Sequence, residues 1–379
     1  MMNVTDIAFP KLKIYLSNVP QDFTVFGYKI ALYGVVIALG MILGVLLASY
    51  LAKKHGYDSD IVWDFAIYGI IFGIIGARIY YVAFSWDYYK HHLKEIFFIR
   101  NGGMAIYGSV IAAFLVLFIY SKVKKIHYLT MADLCVPGLA LGQAVGRWGN
   151  FFNREVFGEY TDNILAMRLP IDAVRPVDIS ADLASHIIEG TNYIQVHPTF
   201  LYECLWNLAL VALMVFVWKY RKFDGQIFLM YVIWYGAGRF FIESVRTDSL
   251  YAGTLKISQV VAVISVSAAL ILLIVGFSYA KRLGSDYQLY VNTEESKRLL
   301  AEADAREEAW QEKLGKKDAA DVQAPVAEDV EKSEEQIKKE KDAKIDALLE
   351  EIAAKAAEAK ELSKTEDDDT ESESQQPEA

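Results

Sequence analysis

The chain has 379 residues, 54% of them hydrophobic, and carries 38 basic and 48 acidic groups for a formal charge of −10. Mean hydropathy is nonetheless positive, +0.21; a soluble domain of this size does not usually segregate apolar and charged residues so sharply, and two compositional regimes share one polypeptide. Residues 285–379 hold 29 of the acidic and 14 of the basic groups, so a tail of −15 follows a body of +5, and the acidic average does not exclude contact of the body with anionic lipid.

After an outer N-terminal segment, 1–26, apolar stretches recur at roughly 27–52, 61–84, 103–120, 131–149, 199–218, 226–243 and 257–280. Each is near the ~20 residues that cross a bilayer. The pattern predicts an all-α integral membrane protein of about seven transmembrane helices. The first stretch begins well inside the chain, exceeds a secretory h-region and has no small-residue cleavage site after it, so it is expected to stay as a helix. The fourth is interrupted by Pro137, Gln143 and glycines.

Short loops set the orientation. Lys53-Lys54, Lys122 with Lys124-Lys125, Lys219 with Arg221-Lys222, and Lys281-Arg282 share one side if the N-terminus is outside, which makes the C-terminus cytoplasmic. The loop between the second and third stretches runs against this rule with Lys90, Lys94 and Arg100, partly offset by Asp87 and Glu95. Interleaved with Trp86, Tyr88, Tyr89, Phe97 and Phe98, it is either an amphipathic segment on the headgroups or a plain aromatic belt.

Residues 27–149 thus carry four helices, 150–198 a small outer domain in which Pro170, Pro176 and Pro198 break any long helix, and 199–284 three more. Residues 285–379, rich in Ala, Glu, Lys and Asp, include a helical run at Ile345–Leu362 and the acidic Asp367-Asp368-Asp369. Such a composition cannot bury a core, and fluctuating helix plus disorder without chemistry is expected.

The two cysteines, Cys135 and Cys204, fall inside apolar stretches, which excludes a disulfide framework; each is either a small hydrophobe, as buried cysteine mostly is, or a catalytic thiol. No His/Cys/Asp spacing suggests a metal, and no glycine motif cradles a phosphate, so no cofactor is expected.

The polar groups inside the apolar stretches carry the chemistry, because hydrocarbon tolerates them poorly. They are densest in Gly146-Arg147-Trp148-Gly149-Asn150-Phe151-Phe152-Asn153-Arg154-Glu155-Val156-Phe157-Gly158. Arg147 and Arg239 keep their charge, and a guanidinium fork matches phosphate oxygens; pairing with Glu155 or Glu243 is the structural alternative. On a helix, Arg239, Glu243 and Arg246 fall at i, i+4 and i+7 on one face. Asn150 and Asn153 either cap a helix end or bind a glycerol hydroxyl, and Gly146, Gly149 and Gly158 permit close backbone approach. Arg78 either joins the site or snorkels outward. Tyr33 and Tyr107 are phenols in apolar surroundings, and His197 and Glu203 flank Pro198 at a helix entry.

The run Gly146 to Gly158 resembles the signature of bacterial prolipoprotein diacylglyceryl transferases: Gly-Arg-x-Gly-Asn-Phe, then an Asn, a Glu and a closing Gly. The similarity extends to Gly76-Ala77-Arg78, Gly102-Gly103-Met104, His197-Pro198-Thr199, Leu201-Tyr202-Glu203, and Gly238-Arg239-Phe240 with Glu243 and Arg246, covering roughly residues 25–280. It implies a multi-pass plasma-membrane enzyme that moves the diacylglyceryl group of phosphatidylglycerol to the cysteine thiol of a prolipoprotein signal peptide. Its partners would be that lipid, that peptide and the bilayer, with no nucleic acid and no cofactor. Catalysis is then expected from Arg147, Arg239, Glu243, Tyr107 and Tyr33. Substrate binding is expected from Arg147, Asn150, Asn153, Glu155, Gly158, Arg78, Arg246, His197 and Glu203, with Glu155 and Glu243 orienting the arginines.

One position departs from the family. Where many members carry histidine after the Gly-Gly segment, this chain has Tyr107. Histidine takes a thiol proton near neutral pH, whereas a phenol titrates near ~10. Tyr107, Glu243, His197 and the departing phosphate all stay open as proton acceptors. Among rivals, an anion transporter should show repeated, similarly interrupted halves, a phospholipase a serine elbow or a phosphodiesterase cluster, and neither pattern is present. A membrane scaffold has no need of outer-side arginines.

Overall fold

The computed structural model describes residues 2–99 and 102–322; Arg100, Asn101, Ile345–Leu362 and Asp367-Asp368-Asp369 lie outside the described residues. Before the first long helix come β1 (Ile7–Phe9), β2 (Ile14–Leu16), β3 (Asp22–Val25) and β4 (Tyr28–Ala31). Then follow α1 (Leu32–Lys54), α2 (Asp60–Phe84), α3 (Trp86–Tyr89), α4 (Ile106–Lys124) and α5 (Tyr128–Asn153). The segment 154–198 contributes β5 (Met167–Pro170), α6 (Ala181–Ser185) and β6 (Tyr193–Val196). The chain continues through α7 (Thr199–Val217), α8 (Gln226–Ser244), β7 (Tyr251–Ala252), β8 (Leu255–Lys256), α9 (Ile257–Leu283) and α10 (Glu294–Val322).

Among the described residues six helices are long and apolar enough to cross a membrane: α1, α2, α4, α5, α7 and the one beginning at Ile257. The remaining expected stretch forms α8, 19 residues long, but Gln226, Arg239 and Glu243 dilute its apolar run and leave it outside that group. Burial singles out the central helix. In α5, 61% of the most apolar window is buried, against 11–33% for the others, because α1, α4, α7 and α8 all pack on it. Glycines permit its closest approach to α1: a Cβ at Gly44 would lie 2.5 Å from the Gly138 carbonyl oxygen.

The first helix starts at Leu32 rather than near residue 27, because Phe26 and Gly27 both take positive φ (48° and 82°) and close a β3–β4 hairpin in register Val25↔Tyr28. Positive φ at both central residues is the requirement of a two-residue type I′ turn. The expected outer region acquires a sheet of order β2-β1-β5-β6, so the N-terminal segment belongs to the same small domain. Its core takes Ile7, Phe9, Met167, Leu169, Ile194 and Val196 together with Phe151, Phe157 and Phe200. The phenylalanines of the Gly146–Gly158 run therefore anchor the exit of α5 in the sheet.

The chain divides after Asp304 into two units. The first extends past the expected boundary at 284: Tyr290 is only 9% exposed and packs with Met131 and Ile126, while Val291 and Leu299 lie against the same core. Within the second, 305–322 is helical.

Candidate active site

The C-terminal ends of α5 and α8 and the N-terminal end of α7 converge on one carboxylate. Glu203, on the first turns of α7, is 3% exposed. Its Oε2 lies 2.7 Å from Arg147 Nη2, and its Oε1 lies 3.4 Å from Arg239 Nη1 and 3.3 Å from Arg246 Nη1. Glu243, one turn beyond Arg239 on α8, forms ion pairs through Oε2, 2.8 Å from Arg239 Nη2 and 3.9 Å from Arg246 Nε. Asp248 clamps Arg246 in a two-point fork, Nε–Oδ1 2.9 Å and Nη2–Oδ2 2.8 Å. Three guanidiniums face three carboxylates, so the cluster is balanced in charge. Access is not balanced: the side chains of Arg147 and Arg239 are 20% and 21% exposed, that of Arg246 only 9%. The first two can exchange carboxylate for an incoming anion, and the third holds the frame.

Local folding explains these positions. Trp206 Nε1 donates to the Trp234 carbonyl at 2.9 Å and Trp234 Nε1 to the Trp206 carbonyl at 3.1 Å, tying α7 to α8 about a turn inside the cluster. Helix α8 stops at Ser244, so Arg246 does not ride the helical face that its spacing suggested. It arrives through a strand-like bridge to Gly158, with Glu159 N–H donating to the Val245 carbonyl at 2.7 Å and Gly158 N–H to that of His197 at 3.0 Å. A Cβ at Gly158 would stand 2.6 Å from the Val245 carbonyl oxygen and 2.9 Å from His197 Cβ, so glycine is required for the contact. Lys256 donates to the carbonyls of Glu243, Ser244 and Arg246, placing a cation at the C-terminus of α8, where the helix dipole favours it.

On α5, Arg147 Nη1 donates to Asn150 Oδ1 at 3.4 Å, and Asn150 Nδ2 donates to Glu155 Oε1 at 2.8 Å. Asn153 Nδ2 reaches the same oxygen at 3.4 Å. Glu155 therefore acts on Arg147 through Asn150; the carboxylate in direct contact with Arg147 is Glu203, and Glu243 lies against Arg239. The Tyr33 ring lies flat enough on α5 that a Cβ at Gly149 would be 2.8 Å from its Cδ2, and Tyr33 stands within electrostatic reach of Glu155 and Arg147.

Other expected residues lie apart from the cluster. Arg78 is 7% exposed and places all its N–H groups on carbonyls: Nε on Ile96, Nη1 on Gly102 and Gly103, Nη2 on Glu95 and Phe98, at 2.6–3.4 Å. It pins the aromatic loop between α2 and α4 and has no donor left for a ligand. Tyr107, on the first turn of α4, is 42% exposed and contacts the Tyr80 ring at 6.3 Å; among the described residues it has no charged partner. His197 Nδ1 sits 3.1 Å from the Tyr202 hydroxyl, and burial lowers its pKa. His197 and Tyr202 line a groove of about 500 Å³ with Asn163, Trp206, Gly238 and Phe241.

Residues 20–275 match the family described as prolipoprotein diacylglyceryl transferase. The chain belongs to this family. It is 44% identical over 251 residues to the phosphatidylglycerol–prolipoprotein diacylglyceryl transferase of Finegoldia magna, covering 66% of this chain and 92% of that relative. The same-named protein of Clostridioides difficile is 42% identical over 249 residues, covering 66% and 92%, and that of Acaryochloris marina 40% over 260, covering 68% and 90%. The diacylglyceryl transferase match runs from β3 through α8 and most of α9; it leaves β1 and β2 outside and stops short of the buried Tyr290.

Sequence reasoning missed Asp248, Lys256 and Arg154. The Arg-x-Asp spacing at 246–248 was a usable signal for the first. Arg154 donates to the carbonyls of Phe152, Thr5 and Val19, stitching the N-terminal segment to the end of α5; nothing in the local pattern announces contacts 135–149 residues away in sequence.

Proposed function

We propose that the chain transfers the diacylglyceryl group of phosphatidylglycerol to the lipobox cysteine of a prolipoprotein signal peptide, the first step of bacterial lipoprotein maturation. The observation that carries this reading is the pair Arg147 and Arg239, a fifth exposed each, aimed at one buried carboxylate from two different helices. The peptide thiolate attacks the glyceryl carbon that bears the phosphate ester; a C–S bond forms, the C–O bond breaks, and glycerol phosphate leaves with an added negative charge. Fixed cations in a water-poor site stabilise such developing charge strongly. Arg147 and Arg239 grip the phosphate, Glu203 and Glu243 aim them, Asn150 contacts the headgroup, and Tyr33 lines the lipid side. Arg246, Asn153, Glu155 and Gly158 support that arrangement, and Arg78 shapes the outer loop.

The thiol proton goes to His197, which burial keeps neutral, or to the departing phosphate monoester, whose second pKa is about 6. The groove beside α7 and α8 supports lateral entry of lipid or peptide from the bilayer. The loop charges support an N-terminus outside and a C-terminus in the cytoplasm of a bacterial plasma membrane.

The test is incubation of purified protein in detergent with labelled phosphatidylglycerol and a lipobox peptide. Thioether adduct with released glycerol phosphate is expected. Lipid cleavage without adduct would indicate a lipase instead. Arg147→Lys and Arg239→Lys should each lose activity, because an ammonium cannot reproduce the planar fork; full activity in both removes phosphate recognition from these sites.

A further inference from the structure

We propose that Asp224 and Tyr290 are positioning residues: the segment 284–299, which follows α9 and lies beyond the family match, clamps the inner ends of α5 and α8 and so sets the spacing of Arg147 and Arg239 at their outer ends. Tyr290 makes three kinds of contact. Its backbone N–H donates to Asp224 Oδ2 at 2.8 Å, its hydroxyl donates to the Lys125 carbonyl at 3.0 Å, and its ring stacks on His127 with centroids 6.0 Å apart. Asp224 N–H donates to the Tyr287 hydroxyl at 3.1 Å, and the Val291 side chain reaches the α1–α2 turn at Gly56. One short segment thus joins the α1–α2, α4–α5 and α7–α8 turns.

The partners of that segment belong to the helices that bear the arginines. Asp224 Oδ1 accepts from Thr130 Oγ1 of α5 at 3.0 Å. Asp133 of α5 in turn accepts from Gly225 N–H and Phe228 N–H at 2.8 Å each, capping the start of α8. Asp133 and Asp224 are 0% and 4% exposed, so these bonds persist away from competing water. From Asp133 to Arg147 is about 21 Å of helix and from Phe228 to Arg239 about 16 Å, at 1.5 Å per residue. A few degrees of play between the inner ends therefore displaces the guanidiniums by ~1 Å. Displacement of that size costs on the order of 10²-fold in rate.

Two truncations test the clamp, one ending at Leu283 and one at Asp304, alongside Tyr290→Ala and Asp224→Asn in the full chain. Spin labels at Trp148→Cys and Phe241→Cys, with Cys135 and Cys204 replaced by alanine, report the spacing of the outer ends of α5 and α8. The chain ending at Asp304 is expected to keep the full-length distance distribution and turnover. The chain ending at Leu283 should broaden the distribution and lose about 10²-fold in kcat with lipid KM nearly unmoved, and the two point variants should fall between. An unchanged distribution in the chain ending at Leu283 overturns the clamp, whatever its turnover. Only the kinetic arm rests on the proposed transferase reading: if the full chain makes no adduct, that reading fails while the distance arm still decides the clamp. Should the chain ending at Leu283 not fold, Tyr290→Ala carries the same two readouts.

Discussion

Replacing Glu203 by glutamine probes the centre of the site. The substitution keeps the shape of the side chain and removes the charge that Arg147, Arg239 and Arg246 approach at 2.7, 3.4 and 3.3 Å. Three guanidiniums are then left with Glu243 and Asp248, one charge in excess. Breaking a buried ion pair by removing one partner costs about 3–5 kcal/mol. The lower figure applies because two of the arginines are partly exposed and solvent offsets some of the loss. At about 2–4 °C per kcal/mol for a large domain, 3 kcal/mol lowers Tm by about 6–12 °C in lipid-free detergent. Phosphatidylglycerol should return more of that loss to the variant than it adds to the wild type, since its phosphate supplies the missing negative charge. Thermal unfolding followed by tryptophan fluorescence, with and without the lipid, measures both effects. A variant that melts within about 1 °C of wild type without lipid would refute the reading of Glu203 as the shared anchor.

Gly149→Ala forces a methyl group onto the Tyr33 ring at 2.8 Å; a loss of about 1–3 kcal/mol and slower adduct formation are expected, and an unperturbed melt and rate would show that the ring does not rest there. Arg78→Lys cannot span five carbonyls, so limited proteolysis between Trp86 and Gly103 should accelerate while Arg147 chemistry persists; unchanged cleavage contradicts the pinning role. Acid should act in two windows. Burial raises the carboxyl pKa of Asp248, but hydrogen bonds and charge from Arg246 outweigh it and the net pKa lies below 3.8; its stabilisation is present above that value and is lost as pH falls through the lower folded one. Burial lowers the pKa of His197 below 6.5, so its contribution is full above 6.5 and declines as pH falls from there to its folded pKa. Melting of Asp248→Asn and His197→Gln against pH should flatten the respective window, and a profile identical to wild type removes that group.

Much of the site was legible because charged residues inside an apolar run have few tolerable explanations. Arg147, Arg239 and Glu243 announced themselves this way, and the amide of Asn150 beside them carried a weaker form of the same signal. Arg78 carried the same signal with a different outcome: its donors are consumed by a loop whose carbonyls no sequence pattern displays. Which carboxylate meets Arg147 was not legible for a related reason: Glu155 is near in sequence but reaches Arg147 only through Asn150, while Glu203, on another helix, lies 2.7 Å from it.

The sequence by itself determined a multi-pass helical membrane protein and the family, because hydropathy and a long signature depend only on residue type and order. Only the tertiary structure decided which carboxylate serves which guanidinium, that Arg246 enters by a bridge to Gly158, and that the body of the protein runs on to Tyr290. Those outcomes depend on side chains brought together from distant parts of the chain, and a one-dimensional pattern carries no information about distance in space.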